Sequence, residues 1–339
     1  MGNAGTLSGR HVRIGAHVVR SNVLLAPMSG ITDQPFRNLA HGLGAGLVVS
    51  EMVASEHLSR DRHGARRRTA AGEAKPQVVQ LAGCEAHWMA EGARVAAALG
   101  ADIIDINMGC PARQVTGKQA GSALMRDLEH AERLIAAVLG AVSLPVTLKM
   151  RLGWDQHSLS APELARRAEA LGVALISVHA RTRCQFFKGH AEWALVRPVK
   201  AAVKVPVVVN GDILDPASAK AALAQSGADA VMIGRGACGQ PWMPARIAES
   251  LATGADPGPP PLKVQGEIAL GHVEAMLSAY GVRAGLRAAR KHIGWYLAAS
   301  GRQQPVVATW RRRLLTSEDA AGVLGGVRAF YRQAQEMAA

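Results

Sequence analysis

Eight short apolar runs, regularly spaced through the first two thirds of this 339-residue chain, constrain its fold more than any other feature. Val, Ile and Leu dominate the runs, and Ala-rich segments with helical periodicity lie between most of them. Near-continuous apolar strands are typical of parallel sheets, because such strands are buried on both faces. The runs cover residues 23–26, 47–50, 78–81, 103–106, 146–150, 175–179, 207–210 and 230–233. Eight successive strand–helix units predict a parallel (β/α)8 TIM barrel, which we favour over a doubly wound open sheet.

Composition divides the chain into four parts. Residues 1–20 are expected to form an N-terminal extension, disordered at first, and then a hairpin that turns at Gly15 and lies under the barrel. The barrel covers residues 21–253, and the Pro- and Gly-rich residues 254–262 are typical of a linker. Residues 263–339 contain helical stretches and no convincing strand, which predicts a C-terminal all-helical domain. This domain has eleven Lys and Arg residues but only five Asp and Glu residues.

The chain is strongly basic, with a formal net charge of +13 and a pI of about 10.3. This imbalance indicates a polyanionic partner, either a nucleic acid or an anionic membrane surface, although a basic enzyme without such a partner is the alternative. No run of about 18 apolar residues suggests a membrane span, and the first nine residues lack the pattern of a signal peptide. We therefore expect a soluble, cytoplasmic protein that does not bind membranes, and a monomer as the simplest state.

Four cysteines, Cys84, Cys110, Cys184 and Cys238, lie far apart in the sequence. They form no CxxC pair, and no histidine spacing typical of a metal site accompanies them. We expect separate reduced thiols, without disulfides and without a bound metal. Only Cys110 lies in a distinctive setting, in a turn shortly after the fourth apolar run.

Polar or unusual residues follow the apolar runs, at the strand ends where (β/α)8 barrels carry their active sites. One such residue alone is compatible with a salt bridge or a buried core histidine. Their agreement around the barrel indicates one polar ligand across its mouth. In chain order they are Ala26, Pro27 and Met28; Ser50 and Glu51; Gln80; Asn107 and Cys110; Lys149 and Arg151; His179; Asn210, Gly211 and Asp212; Gly234 and Arg235.

The chemistry of these residues indicates flavin mononucleotide (FMN). Gly211 and Gly234 follow the seventh and eighth strands, where backbone amides commonly hold a phosphate, and Arg235 supplies a positive charge. Gln80 can donate to and accept from a ring edge with alternating N–H and C=O groups. Lys149 can hold the negative charge that develops on such a ring during reduction.

Cys110 is the candidate for proton transfer at this site. No ordered Cys–His–Asn arrangement can be identified near it in the sequence, so a general acid is favoured over a nucleophile. A cysteine thiol is mostly protonated at neutral pH, which suits a proton donor. The alternative is a small buried apolar residue, but Gly109 and Pro111 enclose Cys110 in a turn.

Several strings resemble the tRNA-dihydrouridine synthases, most closely their bacterial B type. The resemblance runs from about residue 20 to residue 245 and continues into the helical part. It is carried by LAPMSGITD (25–33) with PFR (35–37), VQLAG (79–83), DINMGCP (105–111), GSALMR (121–126), PVTLKMR (145–151), VHARTR (178–183), VNGD (209–212), VMIGRG (231–236) and KHIGWY (291–296).

This resemblance implies an FMN enzyme that uses NADPH, or NADH, to reduce uridine in tRNA to 5,6-dihydrouridine. It makes Cys110 the acid that protonates C5 of the uracil once hydride has reached C6. It gives Asn107, Arg181 and Arg183 a role in holding the base and its phosphate. It places the flavin against Ala26, Pro27, Met28, Gln80, Lys149, His179, Asn210, Gly211, Asp212, Gly234 and Arg235.

Basic residues outside the barrel mouth are expected to hold the rest of the tRNA, because a uridine in folded RNA has to be extruded into the cavity. Each of them has a solvated surface position as its alternative, and no motif identifies the uridine that is reduced. The main candidates are Lys118, Arg283, Arg287, Arg290 and Lys291; further ones are Arg60, Arg62 and the arginines at 66–68 and 311–313.

Two other functions are compatible with parts of the sequence. A small-molecule flavin reductase on the same barrel would explain the flavin strings but not the net charge or the basic helical part. A tRNA-binding protein with vestigial catalysis would explain the charge but not the intact Gln80, Cys110 and Lys149.

Overall fold

A curled sheet of nine parallel strands lies at the centre of this computed structural model, which describes residues 11–61, 64–69 and 72–336. An antiparallel hairpin of β1 (Arg13–Ile14) and β2 (His17–Val18) precedes the sheet. The strands of the sheet are β3 (Val23–Leu25), β4 (Leu47–Val48), β5 (Val53–Ala54), β6 (Val78–Ala82), β7 (Ile103–Met108), β8 (Val146–Arg151), β9 (Leu175–His179), β10 (Val207–Asn210) and β11 (Ala230–Ile233).

The two edges of this sheet belong to one interrupted barrel strand. β4 pairs with β3 at one edge, and β5 pairs with β6 at the other. Between them, Val49 forms a parallel bridge to Val78, and the Ser50 N–H donates to the Val78 carbonyl at 3.0 Å. The sheet therefore closes on itself. The predicted (β/α)8 barrel is confirmed, and its second strand is split where the sequence suggested one continuous run.

Helices surround the barrel and pack against the outward-facing side chains of its strands, such as Val79, Ile106 and Leu148, in one large core. Gly172 and Gly227 end two of these helices with φ angles of +110° and +68°, as expected for glycine C-caps. The helices are α1 (Gln34–Gly42), α2 (Ser55–Ser59), α3 (Ala65–Thr69), α4 (Ala86–Ala98), α5 (Arg113–Thr116), α6 (Leu128–Leu139), α7 (Ala161–Leu171), α8 (Arg197–Ala202), α9 (Pro216–Ser226) and α10 (Met243–Thr253), with 3₁₀ turns at Gly121–Arg126, Trp193–Val196 and Arg235–Ala237.

The hairpin β1–β2 closes the N-terminal end of the barrel. Val12, Ile14 and Val19 are buried and share a small apolar cluster with inward-facing strand residues, among them Ile103 and Val208. The expected turn at Gly15 is present, with a φ of +58°. Because this end is filled by apolar side chains, the described part of the chain leaves the opposite end of the barrel for a ligand to enter. Residues 1–10, where we expected disorder, lie outside the described residues.

Up to residue 336, where the described part ends, four helices follow the barrel: α11 (Leu262–Tyr280), α12 (Val282–Ala299), α13 (Gln304–Thr316) and α14 (Ala320–Glu336). They build a second apolar core around residues such as Tyr296 and Phe330. α11 begins at Leu262, the last residue of the predicted linker. The ring of Phe36 on α1 lies 5.4 Å from the rings of both His272 and His292, which joins this helical region to the barrel. No helix in the described ranges is long and apolar enough to cross a membrane.

Candidate active site

A cavity of about 440 Å³ opens at the C-terminal end of the barrel strands. Its volume lies within the range of small-molecule and cofactor sites. Asn107, which was predicted for the substrate, lines it together with the residues predicted for a cofactor or for catalysis: Ala26, Pro27, Met28, Gln80, Cys110, Lys149, His179, Asn210, Gly211, Asp212, Gly234 and Arg235.

A chain of hydrogen bonds between side chains of β6, β7 and β8 supports the floor of the cavity from below. Asp105 accepts from the Gln80 Nε2 and from the Thr147 hydroxyl, both at 2.6 Å. Gln80 Oε1 in turn accepts from Asn107 Nδ2 at 2.8 Å. Burial raises the pKa of Asp105 to about 6, although the hydrogen bonds from Thr147 and Gln80 oppose this shift.

The loop that carries Cys110 is held from three sides. Asn107 Oδ1 accepts from the backbone N–H groups of Gly109 at 3.1 Å and of Cys110 at 2.9 Å. The Cys110 carbonyl accepts from the N–H of Ser122 at 3.0 Å and from its hydroxyl at 2.9 Å. Arg151 Nε donates to the Gly109 carbonyl at 2.8 Å. These contacts place Cys110, which is partly exposed, at the cavity wall.

Lys149 on β8 and His179 on β9 give the neighbouring wall a cationic and a neutral group. Lys149 Nζ donates to Asn210 Oδ1 at 3.2 Å, and Asn210 is fixed in turn by donating to the Met232 carbonyl at 2.8 Å. Desolvation, with the charge of Arg151, lowers the pKa of Lys149 to about 8. Desolvation and the neighbouring cations lower the pKa of His179 well below its usual value, so its ring is neutral at pH 7.

The ends of β10 and β11 bring backbone close to the cavity. Gly211 has a φ of +117°, and a Cβ there would lie 2.9 Å from the His179 ring. At Gly234 the nearest atom to such a Cβ would be 3.7 Å away, the sulfur of Met28, which leaves room for a ligand.

Asp212, also at this end, has its carboxylate occupied by the protein. It accepts from Arg181, from the Ala191 N–H at 2.8 Å and from Arg235 at 3.1 Å. Although partial burial opposes it, these contacts hold the pKa of Asp212 below its usual range.

The predicted substrate residues do not gather at one place. Arg181 differs most from the expectation: it is 1% exposed, does not line the cavity, and donates to Asp212 and to the carbonyls of Lys188 and Gly189. We therefore assign Arg181 to holding the loop between β9 and β10. Arg183 stacks on Trp154, with its guanidinium carbon 4.6 Å from the ring centre.

The remaining basic candidates lie farther out. Lys118 is exposed in the turn after α5, and Arg283 and Arg287 are exposed on α12. Arg290 is half-buried and donates to the Ser317 carbonyl at 3.2 Å. Lys291 donates to the carbonyl of Gly30, in the loop that contributes Ser29 and Ile31 to the cavity. Among the further candidates, Arg60 stacks on Trp88, and Arg311 donates to the Gly294 carbonyl. Arg62 and the side chains at 66 and 67 lie outside the described residues.

Several cavity residues had no assigned role in the sequence analysis. Arg151 was noted at a strand end but given no role. Its position two residues after Lys149 indicates that it faces the same cavity, since alternate strand residues share a face. Phe186 and Phe187 carried no signal beyond being aromatic in a chain with only 4% aromatic residues. They stand 41% and 47% exposed at the cavity mouth, where Phe187 lies between Arg151 and Arg235 at 5.5 and 5.6 Å.

The described residues contain no group of three or more His, Cys, Asp or Glu side chains arranged to hold a metal ion.

The model of the family described as dihydrouridine synthase (Dus) matches residues 24–335. A probable tRNA-dihydrouridine synthase from Rhizobium leguminosarum bv. phaseoli is 52% identical over 302 residues, which cover 89% of this chain and 92% of the relative. The tRNA-dihydrouridine synthase B of Pseudomonas putida is 44% identical over 326 residues, covering 96% of each chain.

Solved structures with a similar fold share little sequence with this chain. Histamine dehydrogenase from Rhizobium sp. 4-9 superposes with a TM-score of 0.58 at 15% identity, over 95% of this chain and 63% of that longer protein. Morphinone reductase in complex with tetrahydroNAD has a TM-score of 0.51 at 15% identity, over 76% and 93% of the two chains. At such identity these similarities concern the fold alone.

Proposed function

Because the chain belongs to the dihydrouridine synthase family, we propose that it is an FMN-dependent enzyme that reduces uridine in tRNA to 5,6-dihydrouridine with NADPH. The observation that carries this proposal is the cavity in which Cys110 and Lys149 line the same space as the glycines after β10 and β11. In a flavin-dependent reduction of a base, the thiol can donate a proton and the cation can offset negative charge on the flavin ring. The glycines suit the backbone around a phosphate.

The residues of the cavity fit FMN. Lys149 forms no salt bridge within the described residues, so its charge is available to a ring that becomes negative. The space at Gly234 and the exposed Arg235 suit a phosphate. When bound, FMN would supply the hydride that the protein itself cannot provide. The Gln80 and Asn210 amides, although each binds protein at both ends, would meet the ring edge with their remaining N–H and lone-pair positions. Met28 and Phe187 would exclude water.

Cys110 would supply the second hydrogen, as the proton that reaches C5 after hydride has reached C6. Its loop is fixed by Asn107, Ser122 and Arg151, which suits a donor that must meet a planar base at a set place. The Asn107 amide is bound to protein at both ends, so we propose that it acts mainly by holding this loop. His179, the histidine that lines the cavity, contacts Arg181 at 3.4 Å, which disfavours a Cys–His nucleophile.

The helical region would bind the tRNA. Arg283 and Arg287 are exposed on the same helix, α12, whose Lys291 contacts Gly30 at the cavity rim. RNA held by this face would therefore lie beside the cavity into which the uridine has to be extruded. On this proposal residues 21–253 form the catalytic part and residues 263–339 the tRNA-binding part, of a monomer in the cytoplasm. A small-molecule flavin reductase would not need this basic face.

The proposal is tested with tRNA from cells that lack this gene. The purified protein with FMN is expected to form dihydrouridine with NADPH, measured by mass spectrometry of digested tRNA. NADH in a parallel reaction establishes the preferred reductant. A yellow, NADPH-reducible protein that leaves every tRNA unmodified would contradict the proposal and favour a small-molecule substrate.

A further inference from the structure

Asp105 is a buried carboxylate that lies beneath the cavity and has no role in the reaction described above. It is 4% exposed on β7, two residues before Asn107, and does not line the cavity. We propose that Asp105 is a positioning residue: its charge fixes the orientation of the Gln80 and Asn107 amides and, through them, the loop that carries Cys110. The inference rests on the proposed function only in naming Cys110 as the group that benefits.

The register of the barrel places the first members of this chain side by side. Gln80 pairs with Asp105 across β6 and β7, and Thr147 pairs with Asp105 across β7 and β8. Each carboxylate oxygen accepts one hydrogen bond, Oδ2 from Gln80 and Oδ1 from Thr147. An ionised carboxylate can only accept, so Gln80 has to present its NH2 group to Asp105. Its carbonyl oxygen is thereby turned toward Asn107.

The same logic fixes the second amide. Gln80 Oε1 can only accept, so Asn107 presents its NH2 group to it, at 2.8 Å. Asn107 Oδ1 then faces the backbone N–H groups of Gly109 and Cys110 and accepts from both. If Asn107 turned over, its NH2 group would face the two backbone donors of the loop; if Gln80 turned over, its NH2 group would face that of Asn107 and its oxygen would face Asp105. The buried charge at one end and the two backbone N–H donors at the other therefore favour the same direction for these successive contacts, which end at the catalytic cysteine.

The ionisation of Asp105 links this chain to pH. Its pKa is raised to about 6 by burial, while Thr147, Gln80 and, at longer range, the charge of Lys149 face it and oppose the shift. Above pH 6 the carboxylate is ionised and only accepts. As the pH falls through about 6 it gains a proton, becomes a donor as well, and no longer reinforces this one amide orientation.

The test measures how fast Cys110 reacts with N-ethylmaleimide in the full-length protein saturated with FMN, resolved by peptide mass spectrometry. Cys84, in the loop after β6, is the internal reference. Asp105→Asn should raise the reaction rate of Cys110 about tenfold relative to Cys84, because the loop is released, and lower kcat for tRNA about tenfold at an unchanged KM. Unchanged relative reactivity in a folded Asp105→Asn protein would overturn the proposal.

Two further variants distinguish orientation from general loosening. In the double variant Asp105→Asn with Gln80→Glu, the negative charge moves from position 105 to position 80. The carboxylate at position 80 accepts from the amide at position 105 and from that of Asn107, so the Cys110 rate should return to within about twofold of wild type. Thr147→Val removes a partner of Asp105 without touching Gln80 and should leave the Cys110 rate near that of wild type at pH 8. Failure of the double variant to restore the rate, or an equal acceleration in Thr147→Val, would refute a directional chain.

The wild-type protein provides a measurement that needs no substitution. The ratio of the Cys110 rate to the Cys84 rate should rise between pH 7.5 and pH 5.5, as Asp105 is protonated. A ratio independent of pH would contradict the inference. These thiol rates are obtained without tRNA, so they remain decisive if the proposed uridine reduction itself fails.

Discussion

Replacing His292 with leucine should make the protein less sensitive to acid. His292 is fully buried between α1, α11 and α12, and neither of its ring nitrogens has a hydrogen-bond partner among the described residues. Its ring lies 4.7 Å from that of His272 and 5.2 Å from that of Trp295. Burial, with the charges of its neighbours, lowers its pKa to about 2. The folded protein therefore keeps this ring neutral where the unfolded chain protonates it.

The sign and size of the effect follow from that difference. A histidine in the unfolded chain titrates near 6.5, so its stabilising contribution is complete above that pH and declines as the pH falls toward the folded value. Between pH 7 and pH 5 one such group lowers the free energy of unfolding by about 2 kcal/mol. His292→Leu removes this loss, and at pH 7 it should stay within about 1 kcal/mol of wild type, since two unpartnered polar atoms are replaced by apolar ones.

Urea unfolding followed by tryptophan fluorescence at pH 7 and pH 5 measures the effect. The exposed His11, changed to glutamine, serves as the matched control and should lose as much stability as wild type. An equal drop in the free energy of unfolding between pH 7 and pH 5 in wild type and in His292→Leu would refute the reasoning. His292 would then be hydrated or already protonated in the folded state.

Three further predictions concern the cavity and the basic face. Lys149→Met should weaken FMN binding about tenfold at pH 7. FMN would raise the Lys149 pKa above its value of about 8, so the affinity of the wild type for FMN should be full below pH 8 and decline above it. Titration calorimetry measures both affinities, and an equal dependence on pH in wild type and variant would contradict this prediction. The double variant Arg283→Ala with Arg287→Ala should reduce the slope of log affinity for tRNA against log salt concentration by up to about 1.4, since each lost phosphate contact accounts for about 0.7 on single strands. An unchanged slope would show that these residues do not contact tRNA phosphates. Gly234→Ala should fold normally yet bind FMN more weakly. Gly211→Ala should lower the melting temperature, because Gly211 has a φ of +117° and an added Cβ would lie 2.9 Å from the His179 ring. Equal melting temperatures for the two variants would contradict this prediction.

The barrel and the residues at its mouth could be predicted because the sequence patterns that indicate them are local. A buried parallel strand has to be apolar along its whole length, and the polar residue that ends it stands out, as Gln80 and Lys149 do. Parallel strands deliver these ends to one rim, so eight local signals combine into a site without knowledge of any long-range contact. The split of the second strand escaped prediction because residues 47–50 are as apolar as the other runs.

The roles of individual side chains depended on contacts between distant segments. Arg181 looked like a substrate ligand beside His179, but Asp212, which lies 31 residues further on, draws it into the protein. Asn107 looked like a base ligand, yet its amide is bound by Gln80 and by the Cys110 loop. Phe187 reaches the cavity on a loop with no regular pattern. Such pairings are set by the closed barrel, and nothing in a single strand's pattern reveals them.

The most direct test of the account is the single-turnover reaction of the reduced holoenzyme with unmodified tRNA, followed by flavin absorbance. Cys110→Ala should be reduced by NADPH within about twofold of the wild-type rate, while its reoxidation by tRNA should slow at least about 100-fold, the range of a lost general acid. Cys184→Ala, at an exposed position outside the cavity, is the control and should match wild type in both steps. Reoxidation of Cys110→Ala by tRNA at the wild-type rate, with dihydrouridine formed, would contradict the role assigned to Cys110 and the central claim that it protonates the base.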